Sequence, residues 1–375
     1  MAQAYTPGLT VSDGMVLHKE RRLPLPGEVL VEVGDAVEAD TVVARTELPG
    51  KVHLVNIAGA LSVPETEVGA YLRVPVGESV QERAVLAETK GLLGLFKSQC
   101  RAPATGTVES ISTVTGQAVL REPPTPLAVP AYVRGHVVRV FPQEGVLVET
   151  YAAFVQGILG VGGEAVGELA LAVHAPDVPL RPADLRAEHR GKVVVGGCLA
   201  SADVVRQARE VGATALVTGG MDDADLRSLL GYELGVAITG GEDVGLTVII
   251  TEGFGSVPMA EHTFSLLRAH VGRLASVNGA TQIRAGVLRP EIILPLAGAP
   301  AERAEREAGR LEVGATVRVI REPYFGQVAD VVELPVPLHQ LETEARVRVV
   351  TVRLRDGSTA AVPRANVELI EQAAG

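Results

Sequence analysis

The sequence predicts a multi-domain α/β protein: a β-rich N-terminal third, a small parallel α/β segment in the middle and a short β-barrel at the C-terminus. Three observations carry this. The chain has 375 residues, too many for one ordinary core, and 47% of them are hydrophobic. Aromatics make up only 3% and Trp is absent, so core volume must come from small and β-branched side chains, which favours strands and tight α/β packing. The hydrophobic period also changes along the chain. Short strands separated by turns come first, strand–helix alternation follows, and apolar–polar alternation ends the sequence.

Charge and cysteine usage exclude several classes. The formal net charge is -11 and is spread along the chain, so a fold-wide electrostatic grip on nucleic acid is not expected. Cys100 and Cys198 lie far apart and in no CxxC or Cys/His cluster, which argues against a disulfide framework and a structural zinc site. The opening residues MAQAYTPGLTVSDG lack a basic region followed by an apolar run. No uninterrupted apolar stretch approaches membrane-spanning length. The expectation is a cytoplasmic protein with no membrane contact and no cofactor.

The first third contains an internal repeat. One copy is VLVEVGDAVEADTVVARTELPGKVHLVNIAGAL, Val29 to Leu61. The other runs from Leu72 to Leu120, as LRVPVGESVQERAVLAETK and then RAPATGTVESISTVTGQAVL. Both have V-G-(D/E)-x-V, an apolar strand ending in Ala and Thr, and then Pro, Gly and Val. Gly34 and Gly77 suit tight turns, and Gly50 and Gly106 suit backbone reversals. A duplicated strand unit of this kind closes into a small barrel or sandwich. After the Pro-rich connector REPPTPLAVP, a third β segment spans Ala131 to Thr150.

The stretch APATGTV, Ala102 to Val108, with its flanking strands, resembles the barrel-sandwich hybrid fold of biotinyl and lipoyl carrier domains, over residues 20–150. The same fold occurs unmodified in RNA polymerase large subunits and in subunits of ion-pumping redox complexes. The resemblance implies a hairpin tip where a lysine carries a cofactor. Lys90, after Ala-Glu-Thr, is the candidate, with Lys97 nearer the next strand. GLLGLF lengthens this tip. Leu92, Leu93, Leu95 and Phe96 cannot favourably face water, so they are candidate contacts to a neighbouring domain or a protein partner.

Residues 151–298 read as an α/β domain with a Gly-rich β lead-in. Gly160, Gly162 and Gly163 fit neither a Walker loop nor a dinucleotide fingerprint and read as turns between short strands. KVVVGG, TALVTGG and LTVIITEGFG read as buried parallel strands. Each is followed by a helix: SADVVRQAREVG with Ser201 as N-cap, DDADLRSLLGYEL, and AEHTFSLLRAHVGRLA. Asp222, Asp223, Asp225 and Glu252 fall at strand ends, where parallel sheets bind ligands. They are candidate cation ligands, and Asp222 and Asp223 equally suit a helix start. Gly253, Gly255 and Ser256 are candidate anion-binding groups at the next helix start. Arg284 and Arg289, in NGATQIRAGVLRPEIILP, are candidates to bind a phosphate or carboxylate or to pair with nearby Glu residues. No Ser-His-Asp or Cys-His set can be drawn from the scattered histidines, and Cys198 reads as a small core residue.

After the charged stretch APAERAEREAGR, residues 311–372 alternate in polarity and contain an Asp356-Gly357 turn, which predicts a five-stranded SH3-like barrel. Gly314, Val317, Val319, Pro323, Tyr324, Phe325, Gly326, Val328 and Val331 resemble the KOW motif of NusG-type transcription factors and some ribosomal proteins. Glu322 and Ala329 depart from its glycine pattern. These departures leave the fold expectation and weaken the one of nucleic-acid binding; read by themselves, Tyr324 and Phe325, with Arg346, Arg348, Arg353 and Arg355 at i, i+2 spacing on strands, are candidate partner or RNA contacts or solvated strand faces. The expected whole is a barrel-sandwich hybrid domain, a small parallel α/β domain and a C-terminal SH3-like barrel, acting as a non-catalytic binding or scaffolding protein with a protein partner. Two alternatives stay open: a KOW-dependent RNA-binding factor of transcription or translation, and a cofactor carrier or enzyme using Lys90 or the strand-end carboxylates.

Overall fold

The computed structural model describes residues 9–89, 97–231, 244–281, 288–298, 311–319, 324, 327–335, 339–340, 346–354 and 357–369. The chain is β-rich, with several sheets and few helices. Val, Ala, Leu and Ile fill its buried clusters, as the scarcity of aromatics requires. Among the described residues no helix is long and apolar enough to cross a membrane.

The chain opens with β1 (Val11–Arg22), β2 (Glu28–Val29), β3 (Ala36–Val37) and β4 (Val42–Leu48). Next come β5 (Val52–Asn56), the short helix α1 (Ile57–Leu61), β6 (Ser79–Val80), β7 (Val85–Glu88), β8 (Gln99–Arg101), β9 (Gly106–Ser112) and β10 (Gln117–Arg121). β11 (Thr125–Pro130), β12 (Gly135–Phe141) and β13 (Gly145–Gln156) follow. β5, β10, β9 and β6 form one sheet in that order, beside the hairpin β7–β8. The flanking strands repeat the plan, with β1, β13, β12 and β3 in the same order beside β11, β4 and β2. The repeat is therefore nested. One copy, residues 52–121, is inserted into the hairpin of the other, between Leu48 and Thr125, which face each other at the open end of β4 and β11.

The equivalence of the copies extends to single bonds. Gly34 and Gly77 both take positive φ, 98° and 91°, and their amides donate to the carbonyls of Val137 and Val108 at 2.7 Å. The Leu30 amide donates to Val43 as the Arg73 amide donates to Leu86. In β9–β10 the register skips Glu109, and in β12–β13 it skips Val138, so both copies carry a bulge at one place. The counterpart of APATGTV is thus AYVRGHV, residues 131–137. This corrects the pairing with the Pro49-Gly50 segment that the sequence suggests. Sequence order hides the true partner because the inserted copy separates the two halves of the outer one. Each copy has its own core: Ile57, Leu61, Leu86, Val108 and Leu120 inside, and Val37, Val43, Val137, Val146 and Val148 outside.

The middle segment contains β14 (Leu159–Val161), β15 (Glu164–Leu171), β16 (Lys192–Val195), α2 (Ala202–Val211), β17 (Ala215–Met221), α3 (Asp223–Leu230), β18 (Thr247–Phe254), α4 (Glu261–Ala269), β19 (Leu274–Asn278) and β20 (Glu291–Pro295). β15, β16, β17 and β18 are parallel. The first of them comes from the lead-in that reads only as turns and short strands. Ser201 caps α2, its Oγ accepting from the Val204 amide at 3.4 Å, and Val204, Val205 and Ala208 are buried. The parallel strands do not form a sheet of their own. The order β14-β18-β17-β16-β15-β19-β20-β13-β12-β3, with β1 on β13, is one 11-stranded sheet shared with the outer β copy.

The C-terminal segment contains β21 (Thr316–Val319), β22 (Val328–Glu333), β23 (His339–Gln340), β24 (Arg346–Val347), β25 (Val349–Leu354), β26 (Thr359–Pro363) and β27 (Val367–Leu369). β26, β25, β22, β21 and β27 form a five-stranded antiparallel sheet over Val317, Val331, Val350, Val352 and Val367.

The nesting is testable through two matched glycines. A Cβ on Gly106 would lie 2.3 Å from the Arg121 carbonyl oxygen, and one on Gly135 would lie 2.1 Å from that of Glu149. Gly106→Ala and Gly135→Ala are each expected to cost about 1–3 kcal/mol, read as a lower Tm. Gly163→Ala, with open space around its Cβ, should leave Tm unchanged. A loss at only one of the matched positions would break the equivalence.

Candidate functional site

The parallel strands β15, β16, β17 and β18 follow one another across the sheet without reversal, so no topological switch point separates them. Their carboxyl ends are stitched by backbone. The Gly219 amide donates to Gly197 at 2.7 Å, Val257 to Cys198 at 2.9 Å and Gly255 to Met221 at 3.0 Å. This corrects the anion-loop reading of Gly253, Gly255 and Ser256. Gly253 sits in the β17–β18 ladder, the Gly255 amide is spent on Met221, and Ser256 Oγ faces Cys198 Sγ at 3.5 Å. Cys100 and Cys198 are both buried, and burial pushes the Cys100 thiol pKa up.

The strand-end carboxylates do not converge. Asp222 stands at the N-cap of α3, Asp223 pairs with Arg227 one turn on, and Asp225 lies in the first turn. Glu252 is buried and accepts from the Ala260 amide at 3.0 Å through Oε1, while Oε2 pairs with Arg318 of β21. Among the described residues, no group of three His, Cys, Asp or Glu is placed to hold a metal ion. Asp222, Asp223, Asp225 and Glu252, the candidate cation ligands, are thus spread over separate contacts. A helix start uses the aspartates, and a contact with the C-terminal sheet uses Glu252.

That contact turns an arginine inward. Arg318 is only 4% exposed. Burial lowers its pKa, with Glu252 opposing the shift. Arg289 is half-buried, and burial, then repulsion from Arg318, lowers its pKa as well. Arg284 lies outside the described residues. Arg364 donates to the carbonyls of Val349 and Pro335, both at 3.1 Å, whereas Arg348 and Arg353 are exposed. Tyr324 is half-buried against the C-terminal core, and Phe325 lies outside the described residues.

Lys90, Leu92, Leu93, Leu95 and Phe96 also lie outside the described residues. The stem that carries them is described. Thr89 and Ser98 close it at 3.0 Å, and Lys97 Nζ lies 3.6 Å from Glu88. A hydrogen bond from Gln99, helped by Lys97 and Arg73 against the effect of burial, holds the Glu88 carboxyl below the usual range.

A groove of about 580 Å³ was not visible to sequence reasoning. It lies where the outer copy meets β20, with Glu38, Arg134, His136, Glu149, Tyr151 and Leu296 on its walls. Strand register brings two of its polar residues, His136 and Glu149, together, with His18 beside them but outside the lining. His18 on β1 and His136 on β12 both stand directly opposite Glu149 on β13, so the three share one sheet face. His18 Nε2 lies 2.9 Å from Glu149 Oε2. The volume falls within the range of small-ligand pockets, and Glu38, Arg134, His136 and Glu149 offer both donors and acceptors to a polar ligand. The sequence signal was GHV at 135–137, which stands out only once its match to GTV at 106–108 is known.

Removing one partner of the Glu252–Arg318 pair leaves the other charge buried and alone. Glu252→Gln and Arg318→Met are each expected to cost about 3–5 kcal/mol, and the double variant clearly less than their sum. Denaturant titration of the full chain measures this. Simple additivity would show that the two groups do not interact.

No protein-family model and no curated protein matches this chain.

Proposed function

We propose that this chain is a non-catalytic docking protein of the cytoplasm, built from two nested units of the barrel-sandwich hybrid type, an α/β segment and a C-terminal SH3-like barrel. It presents the tip of the inner unit to a protein partner. One observation carries the reading: the hairpin end of the outer unit, where a carrier lysine would ride, holds the whole inner unit instead. The sequence that connects β7 to β8 contains GLLGLF. A soluble surface gains nothing from such a run unless another surface covers it.

In the α/β segment, the described backbone bonds from Gly219 to Gly197, Val257 to Cys198 and Gly255 to Met221 tie the strand ends together. The unpaired cysteines are in keeping with a reducing compartment. For the C-terminal barrel, Arg318 and Arg364 are committed to internal contacts, which leaves a smaller basic surface than the sequence implies.

The test joins two measurements on protein from its natural source. The intact mass should match the unmodified chain, and an excess equal to biotin or lipoate at Lys90 or Lys97 would make it a carrier instead. A Leu92→Asp/Leu95→Asp double variant should lose a co-purifying protein at least about tenfold, a loss of 1.4 kcal/mol or more, with unchanged Tm. Retained binding in that variant would remove the tip from the interface. Salt-dependent RNA binding by the full chain would replace docking with nucleic-acid recognition.

A further inference from the structure

The groove beside the outer copy marks a change of strand partner. β13 pairs with β12 as far as Glu149 and with β20 from Ala152 onward, and Thr150 and Tyr151 lie between the two ladders. The groove of about 580 Å³ opens there, with both residues in its lining. Part of the lining is apolar. Val16 on β1 stands opposite Tyr151, and Pro295 and Leu296 contribute from the end of β20. The Tyr151 ring is held over Gly14, where a Cβ would collide with it.

The rest of the lining carries charges of both signs with bonding capacity to spare. Arg134 Nε lies 3.4 Å from Glu38, with 69% and 61% of the side chains exposed. The terminal nitrogens of Arg134 have no hydrogen-bond partner among the described residues. Glu149 meets His18 through Oε2 at 2.9 Å, and its Oε1 has no partner among them. His136 makes neither a hydrogen bond nor an ion pair there. The shared fold does not require these charges. In the inner copy the same register positions hold Gln81, Thr105, Thr107 and Arg121 where the outer copy has Glu38, Arg134, His136 and Glu149. The inner sheet ends at β5 and β6 and has no strand in the place of β20.

A mixed set of charges selects its ligand. Glu38 and Glu149 oppose a simple anion, and Arg134 opposes a simple cation. A ligand with one charge of each sign satisfies both. Arg134 stands two residues from the position opposite Glu149, at most about 7 Å of chain, and an extended dipeptide places its charged ends about as far apart. We propose that this groove binds a short peptide in its zwitterionic form. The ammonium lies on the Glu149 carboxylate, the carboxylate on the terminal nitrogens of Arg134, and an aliphatic side chain packs against Val16, Tyr151 and Leu296. His136 hydrogen-bonds the peptide unit between the two ends. The site belongs to the outer copy and is separate from the docking tip of the inner one.

Leucyl-alanine is the probe, titrated into the full chain and followed by ligand-observed NMR. A half-open site of this kind is expected to bind it at about 1 mM. N-acetyl-leucyl-alanine lacks the ammonium and leucyl-alanine amide lacks the carboxylate, and each should bind at least about threefold more weakly. Glu149→Gln should weaken leucyl-alanine by the same factor while leaving the affinity of the acetylated peptide unchanged. Arg134→Gln should do so for leucyl-alanine while sparing the amide. Arg134 is the more exposed of the two, so its variant should keep the wild-type Tm and carries the test should Glu149→Gln not fold. The absence of saturable leucyl-alanine binding up to about 10 mM overturns the proposal. So does equal binding of all three peptides, or a loss in the variants that does not depend on which end is blocked.

Discussion

The architecture depends on β13, a strand with a different core on each face. Ala152 and Phe154 point into the core of the outer β copy, while the alternate residues Ala153 and Val155 belong to the core of the α/β segment. Its edges are equally committed. β1 runs along one side from Gly145 to Val155, and β12 and then β20 share the other. Because side chains alternate with a period of two, a slip of one residue would exchange the two sets and put each into the wrong core. The small residues Ala152 and Ala153 let two layers approach one strand closely. The mixed sheet is thus the wall between two packed volumes, and β13 fixes its position.

An ionic clamp holds the outer copy against that wall. Arg21 on β1 grips Glu164 on β15 through two bonds of 2.6 and 2.7 Å, and Lys19 meets Glu291 on β20 at 2.5 Å. Tyr132 completes the set. Its ring lies under Arg21, its hydroxyl donates to Glu291 at 3.3 Å, and burial together with the Glu291 charge pushes its pKa up. Tyr132 also takes a φ of 71°, a strained conformation for a non-glycine residue, while its carbonyl accepts from Ser276 at 2.5 Å. The matching position in the inner copy is Pro103. The two copies therefore differ where only one of them meets β19 and β20.

Local periodicity made much of this fold legible. The three strand–helix pairs, the cap at Ser201, the buried Cys198 and the turn glycines Gly34 and Gly77 all follow from patterns within about ten residues. What stayed hidden depends on contacts distant in sequence. The halves of the outer copy are separated by the length of the inner one, so AYVRGHV and APATGTV read as unrelated until the bonds of Gly34 and Gly77 align them. The row of His18, Glu149 and His136, of which the last two line the groove, exists only through strand register. Arg318 looks like one more surface charge on a strand, and its burial against Glu252 depends on how the C-terminal sheet docks. The glycines at the strand ends look like an anion loop because glycine serves both to bind phosphate and to let backbones cross. A Cβ on Gly220, 2.0 Å from the Gly255 carbonyl oxygen, identifies the second use.

The neck between the copies bears on what the inner one is for. Where the chain leaves and re-enters the outer hairpin, the Glu122 amide donates to Lys51 at 2.9 Å, and His53 Nε2 lies 2.6 Å from the Glu122 carboxylate. A Cβ on Gly50 would come within 1.9 Å of the Glu122 carbonyl oxygen, so the two strands pass in direct contact. β5, which leaves the neck, pairs along its whole length with β10, which returns to it. The neck is short and bonded across, and it joins the separate sheets of the two copies. A cofactor arm that visits several sites needs slack at its base, which hydrogen-bonded strands do not provide. A docking surface gains from the opposite property, because a mount ordered before binding lowers the entropy lost on association. A short, hydrogen-bonded neck trades reach for rigidity, and the docking proposal rests on that property.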